Sequence, residues 1–123
     1  MAVVDSSAVI AVWRNGADLL DRVTLAVIPL AVYAELLVGV RMSRDAERER
    51  SRLDTTFRLL NAQVRSPTQA TAEHWATLQV ALRRAGRAVP HNDGWVAAAA
   101  IEHDLPLISR NRHHRDLPGV RVA

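Results

Sequence analysis

The sequence contains no cysteine, which excludes disulfides, thiolate nucleophiles and cysteine-bound zinc. Any metal would have to be held by oxygen or imidazole. Lysine is missing as well, since all 16 basic side chains are arginines. That removes Schiff-base chemistry, a Walker-type nucleotide site and any phosphoryl-transfer centre that depends on a lysine ammonium. The arginine bias itself fits a GC-rich genome. No charge-free apolar run reaches the ~18 residues of a membrane span, and the first residues lack the basic region and apolar stretch of a signal peptide. A soluble, cytoplasmic protein is expected. No internal repeat, linker or low-complexity segment interrupts the chain.

What is present is 123 residues of which 49% are hydrophobic. That suits a single domain over residues 1–123, able to bury roughly two thirds of its unfolded surface. The net charge of +3 and a pI near 10.9 are compatible with a polyanionic partner, although a small excess of arginine also serves solubility.

The apolar stretch Ala2 to Val4 reads as a short buried strand. It ends at Asp5, and Ser6 and Ser7 then offer hydroxyl caps for a helix through Trp13. Asn15-Gly16 marks a break, and Ala17 to Asp21 can form a short second helix. Val23 to Ile28 alternates too little for a half-buried strand, as expected of one covered on both faces. Pro29 suits the first turn of a helix over about Leu30 to Arg41. From Ser43 to Asn61, Ala46, Leu53, Phe57 and Leu60 recur at helical spacing, with Asp45/Arg48 and Glu49/Arg52 able to pair. A brief strand at Ala62 to Arg65 stops at Ser66-Pro67, and a helix from Thr68 to Ala85 ends before Gly86. Another helix begins near Asn92 and Asp93 and runs to Ile101. Pro106 to Ser109 returns to strand character, and Gly119 to Val122 offers a last strand. Strands alternating with helices imply an α/β/α sandwich around a central parallel sheet.

In such sheets, sites gather beyond the carboxyl ends of strands where strand order reverses. Asp5 belongs there, as a functional group or as a turn residue. Glu35 lies mid-helix with Ala31, Val32, Val38 and Gly39 around it. It faces either an apolar surface, at a desolvation cost, or the exposed edge of its helix. Asp93 is read either as a helix cap or as a carboxylate kept ionised by the positive end of the helix. Three carboxylates in one pocket would repel by roughly 4 kcal/mol per close pair at an effective dielectric of about 20. A hard cation removes that cost, and oxygen ligation suits Mg²⁺ or Mn²⁺. A cation so held supports in-line displacement at a phosphodiester. Arg110, Arg112 and Arg115, in the run RNRHHR, could grip a phosphate backbone or lie on a solvated loop. His113 and His114 do not form an obvious two-ligand metal pair. Trp13, Trp75 and Trp95 are read as core rather than as base-stacking platforms.

The opening VVDSSAVIA, the segment AELLVGV, the block GRAVPHNDGWVAAAAIEHDLPLISRN and the closing DLPGVRV resemble, in this order, the PIN domain of bacterial toxin-antitoxin ribonucleases of the VapC kind. Each motif alone is weak, but three acidic motifs in register with a late strand are specific. The resemblance implies a PIN-like α/β/α sandwich, a Mg²⁺- or Mn²⁺-dependent endoribonuclease acting on RNA such as tRNA, a cognate antitoxin that blocks the site, and homodimers within toxin-antitoxin hetero-oligomers. It places Asp5, Glu35 and Asp93 as the family's three acids, with Asp5 and Asp93 as direct metal ligands. The sequence departs at Asn111, where many relatives carry an aspartate, and Asp116 is the alternative for completing the site. Leu30 and Val32 replace the usual polar cap before the glutamate helix. The apolar positions Leu36, Leu37 and Val40 would permit homodimerisation.

Two other readings compete. One is a catalytically weak module of the same fold acting in an antitoxin and DNA repressor complex. The other is a phosphatase or phospho-acceptor domain with Asp5 as nucleophile, against which the missing lysine counts.

Overall fold

Every residue of the first strand, β1 (Ala2–Val4), is buried. Alternate side chains of a strand point to opposite faces, so both faces of the sheet are covered here. The same holds for β2 (Ala26–Pro29). The computed structural model describes residues 1–15, 23–111, 114 and 116–123, and the expected helix at Ala17 to Asp21 lies outside them.

Among the described residues the chain runs β1, α1 (Ser6–Asn15), β2, α2 (Leu30–Met42), α3 (Ala46–Leu59), β3 (Gln63–Arg65), α4 (Gln69–Arg84), α5 (His91–Glu102) and β4 (Leu107–Ile108). The sheet has the order β3-β2-β1-β4, and every pairing in it is parallel. The expected α/β class with a central parallel sheet is what the chain adopts. All three residues of β3 are exposed, as an edge strand allows.

Several element boundaries move from their expected places. Pro29 closes β2 instead of opening the helix, and it precedes α2 with no side-chain cap, in keeping with the apolar Leu30 and Val32. The cap of α1 is Asp5, whose Oδ1 accepts the Ala8 N–H at 3.0 Å; Ser6 and Ser7 lie inside the helix. Asp45 caps α3 in the same way, through the Arg48 N–H, and Glu49 pairs with Arg52 at 3.5 Å. Gly119 to Val122 forms no full strand, only a parallel bridge from Val122 to Leu107.

Val3, Val4, Val9, Val27, Ile28, Val32, Leu36, Val40, Leu53 and Leu107 belong to one buried cluster. A smaller cluster of Leu78, Leu82, Ala97 and Leu117 lies where α4 meets α5, and there Trp75 stacks on Trp95 at 5.3 Å. Leu36 and Val40 are each only 3% exposed. They are used up by the chain's own core, against which Leu37 is also packed, so the apolar stripe named from the sequence serves that core.

Strand order places the site. From β1 the chain steps to β2 and β3 on one side, while β4 lies on the other. Strand order therefore reverses between β1 and β4, and connections leaving the carboxyl ends of those two strands diverge to leave a crevice.

Candidate active site

Asp5 follows β1 at that crevice. Its backbone N–H donates to the carbonyl of Ile108 in β4 at 3.2 Å, and only 5% of the residue is exposed. A carboxylate this buried needs donors, and three surround it. Oδ1 accepts the Ser7 hydroxyl at 2.7 Å as well as the Ala8 N–H, and Oδ2 accepts the hydroxyl of Ser109, just past β4. The ring of donors is itself braced. Ser7 Oγ accepts the Arg110 N–H at 2.9 Å, and Ser109 Oγ accepts the Asn111 N–H at 2.9 Å. The Arg110 backbone is thereby placed beside Ser7.

Asp93 is the third residue of α5, in its first turn, and is not the N-cap, which is Pro90. Helix α5 packs against β1 and β2, which brings Asp93 to the same end of the sheet as Asp5. The two aspartates meet at His114. Its Nε2 stands 3.5 Å from Asp5 Oδ2 and 3.7 Å from Asp93 Oδ1. The imidazole is fully buried, and neither ring nitrogen makes a hydrogen bond.

Glu35, on α2, is exposed, so the desolvation considered from its apolar neighbours does not arise. Its Oε2 accepts the Ser6 hydroxyl at 3.1 Å and its Oε1 the Asn92 amide at 3.0 Å. Those donors are the chain neighbours of Asp5 and Asp93, so hydrogen bonds tie Glu35 to the segments that carry both aspartates. Asn111 contributes its backbone N–H to the donors around Asp5 through Ser109. Asp116 is exposed, and its carbonyl accepts Arg87 at 2.8 Å. Arg112 and Arg115 lie outside the described residues.

Ser7, Ser109, Asn92 and His114 are site residues that the sequence does not single out: the serines after Asp5 read as caps, and His114 reads only as half of an unsuitable metal pair. Adjacent hydroxyls after an aspartate gave a signal for Ser7. Nothing in RNRHHR marks which histidine turns inward.

Among the described residues no group of three or more histidine, aspartate or glutamate side chains is drawn together closely enough to hold a metal ion as it stands. The donor chemistry nevertheless fits a divalent cation. Two carboxylates from different elements approach one buried imidazole whose nitrogens are orphaned, and a cation would satisfy all three. An apolar hollow of about 370 Å³ lined by Leu30, Ala34, Trp95 and Ala99 reaches Asn92 but contains none of the three acids. Converging polar groups, not hollow size, locate the site.

An all-parallel α/β chain with two aspartates, a glutamate and a buried imidazole grouped at its switch point is the class these observations define. The chain matches the PIN domain family over residues 2–120. It is 33% identical over 99 residues to ribonuclease VapC5 of Mycobacterium tuberculosis, covering 80% of this chain and 71% of that one. It is 30% identical over 95 residues to ribonuclease VapC4 of the same organism, covering 77% and 73%. The DNA-bound VapBC structure from Salmonella typhimurium superposes with a TM-score of 0.88 at 22% identity, over all of this chain and 98% of that one. The chain belongs to the PIN-domain family, among the VapC ribonucleases.

Proposed function

We propose that the chain is the toxin of a toxin-antitoxin pair, a cytoplasmic Mg²⁺- or Mn²⁺-dependent endoribonuclease held silent by a cognate antitoxin. The observation that carries this reading is the approach of Asp5 and Asp93 to one buried point at the sheet's switch point, in a chain whose relatives are named ribonucleases. The VapBC complexes among its structural neighbours support the antitoxin partner.

In this reading Asp5 and Asp93 hold the cation. When bound, it would activate a water and neutralise charge at the phosphodiester. Ser7, Ser109 and the Ala8 N–H fix the Asp5 carboxylate in direction, which preorganises it before RNA arrives. Glu35 is held from both sides by Ser6 and Asn92 and takes the proton of the attacking water. Water oxygen bonds to phosphorus as the P–O bond to the leaving ribose oxygen breaks, and that oxygen takes up a proton delivered through solvent, which balances the one accepted by Glu35.

RNA needs cations along its path. Arg110 is one. Others flank two adjoining grooves beyond Glu35, of about 400 and 670 Å³, which share Trp13, Arg14 and Arg52; Arg48 lines the second. Phosphate contacts on single strands each contribute roughly 0.7 to the slope of log affinity against log salt. The double variant Arg14→Ala/Arg52→Ala is expected to lower that slope by about 1.4 and to raise KM with little change in kcat. Affinity measured across a salt series checks this, and an unchanged slope would remove the grooves from the RNA path.

The reading is tested by inducing the chain alone in a bacterial host. Growth should stop, with new RNA ends appearing, and both effects should vanish with Asp93→Asn. Continued growth with soluble wild-type protein present would count against it.

A further inference from the structure

Three atoms that bear lone pairs converge in the buried heart of the site: His114 Nε2, Asp5 Oδ2 and Asp93 Oδ1, with the nitrogen 3.5 and 3.7 Å from the two oxygens. In its neutral form with the proton on Nδ1, the imidazole turns a lone pair toward two carboxylates, an arrangement that repels unless something positive lies between. One candidate is a proton on Nε2. A hydrogen-bonded N–H reaches an oxygen at about 2.7–3.2 Å, and both oxygens lie beyond that. Accordingly neither ring nitrogen of this fully buried residue makes a hydrogen bond. The other candidate is a larger cation. Oxygens held at about 2.0–2.1 Å on neighbouring positions of an octahedral ion stand about 3 Å apart, and a longer bond to nitrogen or a wider angle extends that spacing. A small rotation of either aspartate closes the remaining difference.

The geometry points to His114 Nε2 as a nitrogen ligand of the divalent cation, completing with Asp5 and Asp93 a mixed oxygen and nitrogen site that favours Mn²⁺ over Mg²⁺. This rests on the metal-dependent reading above and goes beyond it, because the residues proposed for that site offer oxygen alone. Mg²⁺ keeps oxygen ligands and gives up water reluctantly, whereas imidazole suits first-row transition ions. The selectivity follows from exchanging one oxygen ligand for one nitrogen. It also assigns a purpose to burying a polar ring without partners, which otherwise destabilises the fold.

The test uses Mn²⁺ itself as the probe. The purified chain is stripped with EDTA, loaded with less than one equivalent of Mn²⁺ and read by pulsed EPR for nitrogen coupling. The same measurement follows on protein grown with ¹⁵N-histidine and on His114→Gln. The expected result is a histidine nitrogen coupled to the bound ion, changed by the isotope and absent in the variant. Mn²⁺ affinity in the variant should fall roughly tenfold while Mg²⁺ affinity moves less than about threefold. Bound Mn²⁺ with no nitrogen coupling, or coupling that persists in His114→Gln, would overturn the assignment and leave the carboxylate site standing. Stripped protein that binds no Mn²⁺ at all would overturn both. Should the glutamine variant fail to fold by circular dichroism, His114→Phe, which keeps a buried ring in that place, takes over the comparison: loss of the nitrogen coupling supports the assignment and its persistence overturns it.

Discussion

Asparagine in place of Asp93 is expected to lower kcat/KM on RNA by on the order of 10³-fold, with almost no loss of stability. The two effects separate because of where Asp93 sits. It lies in the first turn of α5 without serving as the cap, so losing the charge forfeits about 0.3–1 kcal/mol of dipole interaction. Relief of its repulsion with Asp5 offsets a similar amount. Activity, in contrast, depends on a charged oxygen, and an amide binds a divalent ion poorly. Steady-state cleavage of an oligoribonucleotide with saturating Mn²⁺, beside thermal melting in EDTA, checks both halves. Activity within tenfold of wild type would remove Asp93 from the metal site.

Asp5→Ala should lose both activity and stability. Asp5 is the N-cap of α1 and the acceptor for two serine hydroxyls and one N–H. A cap replaced by alanine costs about 0.5–2 kcal/mol, and hydrogen bonds to a charged acceptor contribute about 1.5–3 kcal/mol each. Removing a buried carboxylate returns part of that sum, leaving a net loss of about 2–4 kcal/mol, or roughly 8–16 °C in Tm at about 4 °C per kcal/mol. Asp5→Asn retains an oxygen for the Ala8 N–H and should lose about half as much stability, with activity equally absent. Melting curves of the two variants give the comparison. Equal melting of Asp5→Ala and wild type would mean that the donors around Asp5 stabilise nothing.

The fold was legible in the sequence because apolar strands covered on both faces carry their own pattern. Ala2 to Val4 and Ala26 to Ile28 are unbroken apolar runs, and both are fully buried. Boundaries were less legible where one residue satisfies two roles. Pro29 is as good at the end of a strand as in the first turn of a helix, and Asp5 competed with its own neighbours Ser6 and Ser7 for the cap. The acids at positions 5, 35 and 93 stood out from apolar surroundings. The group that links them did not. Ser109 reaches Asp5 across more than a hundred residues of chain through the parallel pairing of β1 with β4, and His114 becomes visible only once its burial between two aspartates is known. Leu36 and Val40 misled for the opposite reason, since periodicity marks an apolar stripe without saying whether the chain's own sheet or a second copy covers it.

Cleavage of a labelled single-stranded RNA by the antitoxin-free chain, first stripped with EDTA and then given back Mn²⁺ or Mg²⁺, decides whether a metal held by Asp5 and Asp93 drives the reaction. No cleavage is expected in the stripped protein, with recovery when the ion returns and none in Asp93→Asn. Full cleavage in EDTA, or none with any divalent ion, would contradict that mechanism.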